Sequence, residues 1–517
     1  MAIFPAVKKF LPTQRLLVLS VTLAGFGWRV QGLGNQSLWR DEVDAVYFAL
    51  RNLRETLLMA VQPGQNGVLY FLMLRPWLRM VGSSEFALRF PSVLFGALAI
   101  PLIWQVTRRL IPGQKLPPIT AALFLMLNPY HLWYSQEGKM YAIITALALL
   151  AAWCWLQGME KGGWRPWTGY WITVTLAMYT HLLMILIIPL HLFWFVIAWP
   201  RSKRHWRGYG LALAGLTLPY LPMVVWQWDM LVQPVQQTGF SFTPLTTMLE
   251  RLLEGFTRGF APVEEGLWLA PIYFLGLAGL LFGWLEMEQG EENDPARLEP
   301  IRCYLLIVVW LLAPIAFIYA MSLREPIFTA RYLIWILPAA VMLMALGLQL
   351  VWKNGGLLRR PLTILLLLYV VGFWGAMGLR QKDETLKYDL RGAVTSVAGQ
   401  RDPADELLIL QIPYMEYAYR YYSSDQGPDP FAGSDARLGW WAKGLWTNYD
   451  APDEEKRVAA DAEMRRITAG AGTIWVLSSE VEMWDQRHLM NEWLEQNADM
   501  TEQQAFHGAE VRRYELK

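Results

Sequence analysis

The chain of 517 residues is 54% hydrophobic and only 17% charged, with 27 Trp and a formal net charge of +1. That composition lies outside the usual range of soluble proteins and points to repeated apolar segments long enough to cross a bilayer. The near-neutral balance gives no electrostatic footprint for nucleic acid, whose binding surfaces need a concentrated basic stripe. The two cysteines, Cys154 and Cys303, are too few for a four-thiolate zinc site or a disulfide framework.

In chain order, Lys8, Lys9 and Arg15 precede an apolar run at 16–34. It reads as an uncleaved first span, because a cleavage site would have to fall beside a Trp-Arg-Asp-Glu segment that lacks a small-x-small pattern. Further apolar runs lie near 90–108, 118–135, 140–157, 167–181, 183–199, 209–226, 267–286, 302–321, 332–352 and 361–379, giving about 11 transmembrane helices. Short-loop cations gather at Lys8/Lys9/Arg15, Arg108/Arg109/Lys115, Lys161/Arg165, Arg201/Lys203/Arg204/Arg207 and Lys353/Arg359/Arg360, all on one side of this assignment. The positive-inside rule then predicts a multi-pass protein of the plasma or inner membrane with a cytoplasmic N-terminus and, after an odd number of spans, an extracytoplasmic tail. The acidic loop 287–300 carries little weight in that assignment.

The stretch 66–82, NGVLYFLMLRPWLRMVG, is apolar but holds Arg75, Pro76 and Arg79. Two arginines in so short a segment cross hydrocarbon poorly, and a span here would invert every later loop. It reads as a helix in the interface, its arginines directed to headgroups or to a bound anion. The outer side then carries the loop 35–89 with its interfacial helices, the loops 131–141, 227–266 and 322–331, and the tail from 380. In the tail, 405–413 and 472–479 read as short buried strands beside helical stretches at 453–468 and 482–496. The expected organisation is an α-helical polytopic domain, 1–379, followed by a small extracytoplasmic α/β domain, 380–517. No internal repeat or low-complexity run is evident.

Chemistry should concentrate where spans end on the outer side. Asp41 and Glu42 follow Trp39 and Arg40 at the start of a helical pattern, DEVDAVYFALRNL. An N-cap would explain Asp41 structurally; alternatively its carboxylate, at headgroup depth, is a general base for an acceptor hydroxyl. Asp41 and Asp44, three residues apart, share a helix face and form the one candidate pair for a divalent cation such as Mg or Mn. The stretch NPYHLWYSQEGKMYA, 128–142, packs His131, Tyr134, Gln136, Glu137 and Lys139 between two spans. An aromatic belt accounts for its tyrosines, but not for ionisable groups at the mouth of the next span. Lys139 suits a phosphate, as do Arg331, which opens a span in SLREPIFTARYL, and Arg75 and Arg79. Snorkelling is the bland explanation for Arg331, and packing that for His181 in MYTHLLM.

As a set and in this order, SLWRDE, LYFLMLRPWLRMVGSSEFALRFPSVLFGAL, NPYHLWYSQEGKMYA, YTH and ARYLIWILPA resemble the GT-C membrane glycosyltransferases of glycosyltransferase family 39, which includes bacterial relatives of protein O-mannosyltransferases and of the lipid A aminoarabinose transferase. YDLRGAV in the tail is similar to bacterial members as well. The resemblance implies a GT-C fold and a polyprenyl-phosphate sugar donor. It further implies transfer on the outer face to a protein, lipid or glycan hydroxyl, and Asp41 as base with Glu42 completing an Asp-Glu pair. Two departures stand out. Lys139 replaces the family's arginine and so loses the bidentate fork, and Gly67-Val68 stands where many relatives carry Pro-Pro, implying a less rigid turn. In this reading Lys139, Arg331, Arg75 and Arg79 hold the donor phosphate. Trp39, Arg40, His131, Tyr134, Gln136, Glu137 and His181 contact substrate, and no cofactor is required if the cations suffice. The rival function is a multispan transporter or glycolipid flippase, which would place ionisable residues near the midplane and often repeat its halves.

Overall fold

The computed structural model describes residues 5–60, 62, 66–228, 241–264, 266–288, 300–354, 356–383, 385–412, 415–424, 430–431, 438–440, 453–481, 485 and 487–517. The chain divides into two compact units. Unit 1 comprises Met1–Leu33, Asn52–Leu74 and Arg89–Glu384; unit 2 comprises Gly34–Arg51, Arg75–Leu88 and Thr385–Lys517. The loop expected at 35–89 is therefore shared between the units, and its residues 61 and 63–65 lie outside the described part. So do 229–240 and 265 of the loop 227–266 and 289–299 of the acidic loop.

The helices are α1 (Pro5–Val30), α2 (Arg40–Leu50), α3 (Leu53–Ala60), α4 (Val68–Val81), α5 (Glu85–Leu110), α6 (Leu116–Leu127), α7 (Pro129–Ser135), α8 (Tyr141–Lys161), α9 (Trp164–Thr180), α10 (Ile187–Ile197), α11 (Trp206–Trp226), α12 (Leu245–Arg258), α13 (Ala270–Glu288), α14 (Pro300–Ser322), α15 (Leu337–Asn354) and α16 (Arg359–Asp383). Each apolar run found in the sequence coincides with one of these helices or with a pair of them. The reason is physical: in hydrocarbon a helix satisfies its backbone groups within itself. Among the described residues, seven helical segments are long and apolar enough to cross a membrane, and Leu116–Leu127 and Leu182–Ile197 are shorter apolar helices.

Three of the expected spans depart from a continuous α-helix. The run 118–135 breaks at Asn128, where Pro129 removes a backbone donor. There the Asn128 side chain takes over, its Oδ1 accepting from His131 N at 3.0 Å and its Nδ2 donating to the Phe256 carbonyl at 2.8 Å. The runs beginning at 183 and 332 open with 3₁₀ segments, Leu182–Leu186 and Ala330–Ile336. His181 caps the first of these, and Arg331 is the second residue of the other.

The most buried spanning segment of unit 1 is Ala330–Asn354. Its helix α15 meets α13 at Gly347 and Gly279, where a Cβ on either glycine would collide with the backbone of Leu275 or Leu343. Such close approach is how helices gain packing contact where no hydrophobic driving force operates between them.

In unit 2 the tail adds α17 (Leu390–Gln400), α18 (Met415–Ser423), α19 (Asp453–Thr468) and α20 (Leu489–Asn497), with strands β1 (Leu407–Leu410), β2 (Leu438–Trp440), β3 (Thr473–Ser479), β4 (Ala498–Phe506) and β5 (Ala509–Leu516). The sheet order is β2-β1-β3-β5-β4, parallel across β2-β1-β3 and antiparallel across β3-β5-β4. The buried runs LLIL and IWVLSS form β1 and all but the first residue of β3. Ile409, Met464, Ile474, Val476, Met490 and Leu494 form the core beneath them. Residue 413 of the first expected strand and 482–484 and 486 of the last expected helix lie outside the described residues. The β4–β5 hairpin was not expected. Its strand ADMTEQQAF buries only part of one face, so it lacks the apolar alternation that marks a strand.

Candidate functional site

The sequence-derived candidates fall into two groups, one in each unit. In unit 2, α2 carries Asp41 in its first turn. The N-cap position belongs to Trp39, in extended backbone with no side-chain capping bond, so capping does not account for Asp41. Its carboxylate, 19% exposed, lies 3.7 Å from Arg40 Nε, at the helix end whose dipole favours negative charge. Arg40 Nη1 donates to Glu480 at 2.7 Å. Glu480 follows β3 directly and adopts a left-handed backbone, φ 49°, a conformation uncommon outside glycine.

Glu42, beside Asp41, has no solvent exposure and accepts from Lys387 Nζ at 3.0 Å; the lysine is itself buried. The Lys387 backbone N–H donates to Gln36 Oε1, Ser37 Oγ donates to the Tyr388 carbonyl, and Leu38 N–H donates to the Tyr422 hydroxyl. Farther along α2, Tyr47 stacks on Tyr417 with centroids 4.0 Å apart. Burial raises the Tyr417 phenol, and the neighbouring Tyr47 and Asp44 push it in the same direction. Arg75 and Arg79, the arginines expected at the donor phosphate, reach backbone carbonyls at the end of α2. Arg75 Nη1 donates to the Arg51 carbonyl, and Arg79 Nη2 reaches the Leu50 carbonyl at 3.5 Å. These are the orphan carbonyls at the C-terminal end of α2, where cations are favoured. The helix bearing Asp41 is thus held at both ends, by Lys387 and Glu480 at one and by two arginines at the other.

In unit 1, Lys139 lies between α7 and α8, half-buried, with its carbonyl accepting from Ser92 Oγ at 3.0 Å. Among the described residues no carboxylate pairs with its ammonium. Arg331 lies with its guanidinium 5.7 Å from the Tyr141 ring centre and 5.9 Å from that of Tyr332, within cation–π range. His181, buried, contacts Tyr332 at 4.8 Å between centroids, and its Nδ1 accepts from Leu183 N–H. Tyr134 packs on Tyr141, and the charges of both Glu137 and Arg331 act on it. Lys139, Glu137, Tyr134, Tyr141, His181 and Arg331 therefore come from the ends of three helices and one 3₁₀ segment within the same unit. Gly67, also of unit 1, has φ 89° and packs against Met140, a left-handed turn that a proline, fixed near φ −65°, could not adopt.

Two of the expected substrate contacts, His131 and Gln136, take part in a hydrogen-bond network within unit 1. His131 has no solvent exposure, and its Nδ1 lies 2.9 Å from Arg29 Nη2. Gln136 Nε2 donates to the carbonyls of Arg29 and Gln31 at 2.8 and 2.9 Å. The hub of this network, Arg29, escaped the sequence reading. It is fully buried and also donates to Ser135 Oγ and to the carbonyls of Gly25, Met126 and Leu125. A lone arginine inside the first apolar run was the available signal, since intramembrane charge is costly and has to be held by partners. Lys387 gave no such signal. For metal, no group of three or more His, Cys, Asp or Glu that could hold an ion occurs among the described residues.

Residues 65–228 match the profile of the dolichyl-phosphate-mannose-protein mannosyltransferase family. No curated protein sequence matches the chain. Among solved structures, ArnT from Cupriavidus metallidurans in the apo state aligns at TM-score 0.57 and 13% identity over 97% of this chain and 98% of its own. The same protein bound to undecaprenyl phosphate aligns at 0.55 and 14%, again over 97% and 98%. The oligosaccharyltransferase AglB from Archaeoglobus fulgidus, in complex with an inhibitory peptide and a dolichol-phosphate, aligns at 0.56 and 12% over 96% of this chain and 74% of its own. The chain is a multi-pass membrane protein with the GT-C glycosyltransferase fold, similar through residues 65–228 to the dolichyl-phosphate-mannose-protein mannosyltransferases.

Proposed function

We propose that this protein transfers a sugar from a polyprenyl-phosphate donor to a hydroxyl acceptor on the extracytoplasmic face of the cell membrane. The observation that carries the reading is the Arg331 guanidinium, set at a span end beside the Tyr141 ring that Tyr134 and His181 also approach, with Lys139 two residues before Tyr141 in a chain of GT-C fold. A polyprenyl tail stays in the bilayer, so its phosphate must be met where spans end. The bound undecaprenyl phosphate of ArnT and dolichol-phosphate of AglB support that class of donor.

In this mechanism Asp41 takes the proton from the acceptor hydroxyl as its oxygen attacks the anomeric carbon. The bond to the phosphate oxygen breaks with inversion, and Lys139 and Arg331 stabilise the charge that gathers on the departing phosphate. Asp41 lies in the first turn of α2, where the helix dipole favours negative charge. Glu42, bonded to Lys387, orients α2, while Arg75 and Arg79 secure its far end. The two cations make a metal unnecessary; a divalent ion at Asp41 and Asp44 is the alternative. The basic short loops support a cytoplasmic N-terminus and an outer tail.

The test is transfer of label from a panel of polyprenyl-phosphate sugars by the purified protein in lipid, with and without chelator. The reading predicts chelator-insensitive transfer from at least one donor. No transfer from any donor, together with leaflet-to-leaflet movement of one of the glycolipids, would favour a transporter instead.

A further inference from the structure

Unit 1 also contains a cleft of about 540 Å³ between α9 and α11, and none of the candidate site residues lines it. One wall is aromatic. Trp164, Trp167 and Trp171 recur at helical spacing on α9, facing Gly208, Ala212 and Gly215 at the same spacing on α11. The two glycines let the indoles lie close: a Cβ at Gly208 would run into the Trp167 ring, and one at Gly215 would stand 3.2 Å from Trp171.

The mouth of the cleft is cationic, formed by exposed Arg204 and Arg207 with half-buried His205. From 161 to 207 the chain contains no Asp or Glu. The adjacent Glu160 is bonded to Arg109, and among the described residues no carboxylate pairs with Arg204 or Arg207. Gly163, at the N-cap of α9, supplies no side-chain acceptor to the first-turn N–H groups, so this helix end adds to the positive potential.

An apolar trench ending in cations that no carboxylate pairs with among the described residues suits a molecule with both a hydrocarbon chain and an anionic head. A soluble anion has no use for the tryptophan wall, and an apolar peptide has none for the arginines. Basic pockets between membrane helices are where anionic lipid headgroups dock, and exposed Trp164 and Trp206 mark the level of the headgroups. We propose that the cleft binds one anionic glycerophospholipid, with its phosphate at Arg204, His205 and Arg207 and an acyl chain along Trp171, Leu211 and Gly215.

The experiment counts lipids retained by the full-length protein on native mass spectrometry, after purification in mixed micelles containing phosphatidylglycerol or phosphatidylcholine. One phosphatidylglycerol should remain bound to the wild type. Occupancy should fall at least about tenfold both in the Arg204→Gln/Arg207→Gln double variant and in Thr168→Trp, which fills the trench from an exposed position. Arg165→Gln/Lys203→Gln removes the same charge nearby but outside the lining, and should leave occupancy within about twofold of wild type. Equal loss in the two double variants would reduce the effect to general surface charge and overturn the site. Equal retention of phosphatidylcholine would do the same. Preferential retention of undecaprenyl phosphate, blocked by Thr168→Trp, would overturn the assigned occupant.

Discussion

Removing Lys387 tests whether the tail governs the Asp41 helix. In the wild type the ammonium lies 3.0 Å from a Glu42 carboxylate that has no solvent exposure, and the lysine side chain is itself only 6% exposed. Lys387→Met leaves that carboxylate buried without its cation. Breaking one side of a buried pair costs roughly 3–5 kcal/mol, a large part of the roughly 5–15 kcal/mol that holds a typical domain folded. Replacing both charges, in Glu42→Leu/Lys387→Met, removes the desolvation penalty and should return most of that loss, since apolar substitutes for a buried pair are often neutral. The assay is denaturant unfolding of the full chain in micelles for the wild type, both single variants and the double variant, closed as a thermodynamic cycle. The expected coupling is about 2 kcal/mol or more, with donor KM little changed and kcat lowered in Lys387→Met. A cost under about 1 kcal/mol for Lys387→Met, or strictly additive losses, would refute the assignment of Lys387 as the anchor of α2.

Arg331→Lys keeps the charge but gives up the planar group that lies near Tyr141 and Tyr332, so transfer should fall while Arg331→Gln falls further; equal activity in all three proteins would remove Arg331 from the phosphate site. Gly347→Val drives a branched side chain into the Leu275 backbone and should lower the thermal midpoint of the membrane unit by several degrees, at a cost of about 1–3 kcal/mol. Glu406 is held below the ordinary carboxylate range. Its partial burial opposes this, but hydrogen bonds from Trp475, Arg513 and the Asp402 N–H prevail. It therefore contributes stability above its unfolded value that is lost as pH falls through the folded one, and Glu406→Gln should flatten the acid limb of stability below about pH 4.5. Both native cysteines are buried. An impermeant maleimide applied to intact cells should thus label Val458→Cys in the tail and spare Leu357→Cys between the last two spans; the reverse pattern would invert the proposed topology.

How much of this was legible in the sequence depended on the range of the physics involved. The spans were readable because an apolar helix is a local solution to burying backbone in hydrocarbon, and β1 and β3 because each is built on a short apolar run, LLIL and IWVL. The break at Asn128 was less visible, although Pro129 signalled it. The β4–β5 hairpin was hidden by its polar composition. The pairing of Glu42 with Lys387 spans 345 positions in the chain, and the bond from Leu38 to Tyr422 spans 384. Such contacts leave no local periodicity. Arg75 and Arg79 were correctly placed on one helix, but their charge said nothing about whether a phosphate or the end of α2 would receive it. Arg29 was overlooked because a single charge does not spoil the hydropathy of a long run.

Asp41 is proposed as the base of a polyprenyl-phosphate-dependent transfer. Single-turnover transfer by wild type and Asp41→Asn tests it most directly, with unfolding of both proteins measured alongside. Asparagine preserves size but cannot take a proton. The account predicts a fall in rate of roughly 10²–10⁴-fold with stability and donor binding near those of wild type. An Asp41→Asn protein that is folded, binds donor and transfers at the wild-type rate would contradict it.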